Sequence, residues 1–261
     1  MKIIVCILLL LNVNLAFAEN KDYSSVVVIS IDALHPDAIS EESCPNIYNF
    51  IKKGRYSADA KSTTPPKTLI SHVAMLTGLS PEKNGKVDNI WKKGEARVSK
   101  PTMLTTAKKA GYETALIYSK PKLGYLANDY TDKEIYSRDD AIEKATAILN
   151  PAEKQFIFLH ISGLDFVGPE SGWLSPEYME EFNFIDEQLA DFFNKISASP
   201  TYLMVITSDH AGHAKIHGSD HPDDFKRPLI VYSSVKALPE IPDSALLPDK
   251  FKTFIERLYL D

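Results

Sequence analysis

YLMVITSDHAGHAKIHGSDH, residues Tyr202 to His221, is the stretch on which the reading of this chain turns. Its first five residues are apolar and partly β-branched, the pattern of a strand buried on both faces. The remainder carries four of the seven histidines, His210, His213, His217 and His221, with Ser208, Asp209, Ser219 and Asp220 beside them. Asp209 and His210 therefore stand where a strand ends and its loop begins. In open α/β sheets that edge is where ligands bind. Carboxylate and imidazole together suit zinc or a similar divalent cation. A polar surface loop would account for a single Asp-His pair, but the density of histidines directly after a buried strand favours a metal site.

Working outward, Ser24–Ile31 (SSVVVISI) is another mostly apolar run of strand length, and it ends at Asp32. Phe156–Ile161 repeats the pattern and is followed by Asp165. Further strands are expected at Thr114–Tyr118 and Leu229–Ser233. Helical patterns lie between them: Pro45 to Gly54, Thr68–Thr77 before Gly78, Pro101–Ala110 before Gly111, a helix capped by Ser137 and running to Leu149, and Asp249–Leu258. The longest opens at Ser175-Pro176, with Tyr178, Phe182, Ile185, Leu189, Phe192 and Ile196 as its apolar stripe. Strand and helix alternate, which predicts one α/β domain: a mostly parallel sheet sandwiched by helices on both faces. Right-handed crossovers would bring the loops carrying Asp32, Asp165 and Asp209 to one edge of that sheet. Three carboxylates and several imidazoles there would suit a two-metal site for phosphoryl transfer. Thr68, at the start of a helix, is the candidate nucleophile, because free N–H groups and the helix dipole favour an alkoxide and a phosphate.

Residues 1–18 read as a cleaved signal peptide: Lys2, an apolar core over Ile3–Leu15, and Ala16-Phe17-Ala18 as an A-x-A cleavage site. No later segment is long and apolar enough to span a membrane. The expected product is residues 19–261, a periplasmic or secreted protein with Cys44 as its lone cysteine. Removing Lys2 leaves 28 basic side chains against 35 acidic ones, a net charge of −7. That balance argues against general nucleic-acid binding, and the two-metal site expected above makes a small phosphorylated molecule the expected partner.

Five stretches together resemble the alkaline phosphatase superfamily, in its type I phosphodiesterase/nucleotide pyrophosphatase branch. They are VVVISIDALHPD, PNIYNFIKKG, TTPPKTLISHVAMLTGLSPEKNGKVDN, LDFVGPESGWLSPEY and TSDHAGHAKIHGSDHPDD, spread from about Val26 to about Tyr232. The chain is similar to the compact bacterial members. The resemblance implies two zinc ions. Asp32, Asp209 and His210 would hold the first, with Thr68 bridging to it as nucleophile. Asp165 and His217 would hold the second. The family pattern D-x-x-G-H here reads Asp165-Phe166-Val167-Gly168-Pro169, and proline cannot ligate a metal, so the second ion is expected to bind more weakly. His213 is a candidate substitute, on the expectation that a helical loop would bring it and His217 to one face. Ser71 and Asn89 would lie near the substrate.

The bland readings belong to the other polar residues. His35 and His72 are expected to be structural or to support ligands without binding metal, His160 to be a satisfied core or rim residue within a strand, and His221 to be loop. Lys120 and Lys122 either meet an anionic substrate or form a solvated pair. The implied activity is hydrolysis of phosphodiester or pyrophosphate bonds. The alternatives are a phosphomonoesterase or phosphonate hydrolase, or a degenerate relative that binds a phosphorylated ligand without turnover. A sulfatase is disfavoured, because Cys44-Pro45-Asn46 does not match the C-x-P-x-R context of its modified cysteine.

Overall fold

The computed structural model describes residues 23–235 and 237–260, so the expected signal peptide lies outside the described residues. In chain order the strands are β1 (Ser25–Ile31), β2 (Arg55–Lys61), β3 (Glu113–Tyr118), β4 (Lys133–Tyr136), β5 (Gln155–Ile161), β6 (Tyr202–Thr207) and β7 (Lys226–Ser233). The helices are α1 (Pro45–Lys53), α2 (Thr68–Thr77), α3 (Pro81–Asn84), α4 (Met103–Lys109), α5 (Ala141–Ile148), α6 (Gly163–Ser171), α7 (Pro176–Ile196) and α8 (Pro248–Leu260).

One sheet has the order β2-β7-β6-β1-β5-β3-β4. All neighbours are parallel except across β7, which pairs antiparallel with β6 and β2. Every residue of β1, β5 and β6 is buried, as strands covered on both faces must be. Alternate β1 residues serve two separate cores. Val27, Ile29 and Ile31 join side chains from α1, α5 and α7, whereas Val26 and Val28 join those from α2, α4 and α8. The predicted sandwich is thus the observed one.

Register places the site. Ile31 lies opposite Ile161, and Ser30 opposite both His160 and Thr207. The three central strands end level, so the chain after each emerges at the same edge. Asp32 follows β1 directly, Asp209 stands two residues past β6, and Asp165 sits in the first turn of α6, just past β5.

Some expected boundaries differ. The helix expected from Ser137 begins at Ala141, because the Ser137 N–H still bonds the Tyr118 carbonyl and its hydroxyl accepts the Asp140 N–H in a turn before the helix. The helix expected from Pro101 begins at Met103, where Thr102 and Thr105 form a capping box. The edge strands β2 and β4 escaped the reading: RYSADAK and KEIY are largely solvent-facing and carry no apolar run. The His210–His217 loop is not helical. His213 and Ile216 form a small antiparallel bridge, and Ala214 has a positive φ of 45°.

Candidate active site

Three carboxylates, two imidazoles, one ammonium and one hydroxyl converge at this edge. Asp32, Asp209, His210 and Thr68 are essentially inaccessible to solvent. Each of the first three holds one atom by hydrogen bonds and leaves another without a partner. Asp32 Oδ2 accepts from His160 Nε2 at 2.9 Å, while Oδ1 is unpartnered. Asp209 Oδ1 accepts from the Ala33 N–H at 3.2 Å, while Oδ2 is unpartnered. His210 donates from Nδ1 to the Ala211 carbonyl at 2.9 Å, which fixes its tautomer and leaves the Nε2 lone pair free. Nε2 lies 3.5 Å from Asp32 Oδ1 and 3.4 Å from Asp209 Oδ2. Buried polar atoms without hydrogen bonds are expensive. Three of them aimed at one point is the arrangement a cation satisfies, and the mixed oxygen/nitrogen set suits zinc.

A second group shares His210. Asp165 Oδ1, itself unpartnered, lies 3.8 Å from His210 Nε2 and 3.4 Å from His217 Nε2. The His217 ring stacks on His210 at 4.4 Å and leans against Trp173. Asp165 and Pro169 lie four residues apart in α6 and so share a helix face. Proline there offers no donor atom.

Lys120 is the residue whose part the sequence left open. It follows β3 at the same edge, and its side chain is 8 % exposed. Its ammonium lies 2.6 Å from Asp32 Oδ2, pairs with Asp165 Oδ2, and donates to Thr68 Oγ1 at 3.3 Å. Burial alone would push the ammonium towards neutrality, but Asp32 and then Asp165 hold its proton more firmly than usual. Burial likewise opposes the charge on Asp32, yet Lys120 and then the His160 hydrogen bond keep its carboxyl well below the usual carboxylate range. His210 feels burial downward, but the Asp209, Asp32 and Asp165 carboxylates raise it above its ordinary value. Lys122 is half-buried, and burial followed by the Lys120 charge lowers it.

Thr68 is the first residue of α2, and Lys67 before it provides no side-chain cap. Asn89 accepts the Leu69 N–H at 2.8 Å, which places it beside Thr68 at the helix N-terminus. Ser71 is buried one turn further in, where its hydroxyl bonds Ser62 and Thr63 at 2.8 Å each. His213 is turned away from the cluster. Its Nδ1 bonds Asp224 at 2.7 Å and its ring stacks on His221 at 3.8 Å. His72 joins the Thr68 carbonyl through Nδ1 at 2.7 Å and Ser30 through Nε2 at 2.8 Å. Burial drives it down to about 4, so it is neutral near pH 7. His35 accepts the Asp37 N–H in a short 3-10 turn. Behind Asp209, the fully buried Arg227 donates to the Lys61 and Ser208 carbonyls at 2.8 and 3.0 Å, which braces the strand end.

The family model described as "Type I phosphodiesterase / nucleotide pyrophosphatase" matches residues 26–231. Among curated proteins, the human GPI ethanolamine phosphate transferase 2 catalytic subunit is 23% identical over 237 residues, 81% of this chain and 23% of its own length. The chain spans between a tenth and a quarter of the first curated relatives it matches. Three solved structures share the fold. A 2-O GAG sulfatase superposes with a TM-score of 0.72 at 13% identity, covering 91% of this chain and 71% of that one. Murine ectonucleotide pyrophosphatase/phosphodiesterase 5, in an inactive threonine-to-alanine form with AMP, gives 0.59 at 18%, covering 73% and 57%. The C-terminal periplasmic domain of EptC from Escherichia coli, in complex with zinc, gives 0.54 at 16%, covering 91% and 82%.

Proposed function

The chain belongs to the type I phosphodiesterase/nucleotide pyrophosphatase family, and from that premise we propose that it is an exported, zinc-dependent hydrolase of phosphodiester or pyrophosphate bonds with Thr68 as nucleophile. The observation that carries this reading is the convergence of Asp32, Asp209 and His210, which offer ligand atoms within 4.8 Å of one another, with Asp32 Oδ1, Asp209 Oδ2 and His210 Nε2 buried and without hydrogen-bond partners. These residues would hold zinc, whose charge would stabilise oxygens bearing negative charge in the reaction. The zinc-bound EptC domain supports that choice of metal by likeness, and the inactive murine threonine variant supports the nucleophile.

The chain's own groups supply the rest. Thr68 Oγ forms a bond to phosphorus as the bond from phosphorus to the leaving-group oxygen breaks. The hydroxyl proton passes to a water molecule that enters with the substrate, and the leaving oxygen takes a proton through the same water. The resulting phosphothreonine is then attacked by a water oxygen. The P–Oγ bond breaks, Thr68 regains its proton, and the acid is released. The positive end of the α2 dipole and the Lys120 ammonium face the charge that develops on the phosphoryl oxygens and on Oγ. Burial excludes bulk water from Thr68, which strengthens each of these interactions.

The names of the curated relatives, ethanolamine phosphate transferases, favour a second reading, in which an alcohol replaces water as the acceptor and a substituted phosphoryl group is transferred to it. Export is part of the proposal. Among the described residues no helix is long and apolar enough to cross a membrane. A new N-terminus at Glu19, read by mass spectrometry, would bear this out.

The deciding experiment measures zinc per chain alongside turnover of a chromogenic diester, monoester, phosphonate ester and sulfate ester, with and without an added alcohol acceptor. Zinc binding with diester preferred supports the hydrolase. A phosphoryl ester of the added alcohol supports transfer. A protein that binds no zinc and turns over none of the four leaves the proposal without support.

A further inference from the structure

Lys120 stands in a position that bears on how many ions the centre holds. Its three partners, Asp32 Oδ2, Asp165 Oδ2 and Thr68 Oγ1, belong to both halves of the cluster and to the nucleophile. The ammonium thus lies between the carboxylates that separate ions would otherwise share. His210 appears in both potential ligand groups, yet it has a single free nitrogen lone pair. Once Nε2 serves Asp32 and Asp209, the second group retains only Asp165 Oδ1 and His217. Pro169, one turn from Asp165 on the same helix face, adds nothing. Two protein ligands are fewer than the three that catalytic zinc sites ordinarily use.

Charge points the same way. Asp32, Asp165 and Asp209 carry three negative charges and Lys120 one positive charge, so a single divalent cation neutralises the set. A second would leave a buried excess of two positive charges and would face an ammonium at close range, which low dielectric makes costly.

We infer that the centre is mononuclear: one divalent cation on Asp32, Asp209 and His210, with the Lys120 ammonium taking the electrostatic place of a second ion. This inference rests on the functional reading above and makes Lys120 a catalytic residue, since it touches the reacting hydroxyl. Its ammonium donates to Thr68 Oγ1, and its charge, without a further hydrogen bond, faces the phosphoryl oxygens of the bound substrate.

The test counts zinc by elemental mass spectrometry on native protein and Lys120→Ala, each equilibrated with free zinc over a range of concentrations. Native protein is expected to hold one zinc. Lys120→Ala is expected to keep it, to take a second zinc at least about tenfold more tightly than native protein does, and to lose about 100-fold in kcat on a diester. Added zinc should restore part of that loss. Two tightly held ions in the native protein, or a folded Lys120→Ala with native kcat, would overturn the inference and leave the zinc–threonine reading standing. No zinc in the native protein would remove both. The native count does not depend on any variant folding.

Discussion

His210 Nε2 and Asp32 Oδ1 face each other at 3.5 Å across a buried gap, and neither has a hydrogen-bond partner. The two residues lie 178 positions apart, at the ends of β6 and β1, which are adjacent in the sheet. A cation shared with Asp209 would satisfy both. Asp209→Asn should therefore weaken zinc binding by at least about 100-fold, because a neutral amide replaces a charged ligand. His213→Ala should leave the zinc count unchanged, since Nδ1 of that ring is already bonded to Asp224. Equilibrium dialysis with metal analysis distinguishes the two. A zinc count that drops in His213→Ala would mean that the loop rearranges on metal binding.

Thr68→Ala should abolish turnover, by about 1000-fold or more, with the fold and zinc binding retained. Thr68→Ser should keep a substantial part of the activity, because the hydroxyl remains at the helix start. Activity of Thr68→Ala within about tenfold of native would remove Thr68 from the nucleophile role.

His160 never reaches the open side of the cluster, yet it holds Asp32 Oδ2 and so aims Oδ1 at the ligand gap. His160→Ala should lower zinc affinity by about 10–100-fold, the usual range for a residue that orients a ligand. The conservative His160→Gln can still donate to Asp32 and should recover much of that loss. If neither variant changes zinc affinity, Asp32 is oriented by Lys120 alone.

Cys44 is buried, its Sγ donates to the Ser40 carbonyl, and burial pushes the thiol up from 9.0 to about 11. A raised folded pKa favours the neutral form in the native state. Its contribution is fully present below about pH 9 and is lost as pH rises to about 11. Relative to Cys44→Ala, native protein should lose on the order of 2–3 kcal/mol across that window in urea titrations. Near pH 7 the thiol should resist alkylation until the protein unfolds. Rapid alkylation of native protein at neutral pH would contradict this.

A Cβ at Gly212 would overlap the indole of Trp173, which donates to the Ala33 carbonyl and leans on His217. Gly212→Ala should destabilise the protein by about 1–3 kcal/mol and shift His217. Zinc at Asp32, Asp209 and His210 should be less affected. Chemical denaturation and metal analysis read the two effects separately.

The α/β sandwich and the three aspartates at its edge were legible in the sequence, for a physical reason. Strands buried on both faces must be nearly continuous apolar runs, and a carboxylate closing such a run stands out at once. Turn and helix-cap residues marked most boundaries in the same way. The edge strands did not stand out, because one solvated face leaves no apolar run to recognise. The site was legible as a set of residues and illegible as a set of contacts. Nothing local distinguishes Lys120 from a solvated lysine, and nothing local sends His213 to Asp224 and away from Asp165. Those outcomes depend on where β3 lies relative to β5 and β1, and on a loop that bridges where a helix was expected. Residue type and strand pattern are written along the chain, whereas the partner of a long polar side chain is chosen among neighbours that only the packed sheet brings within reach.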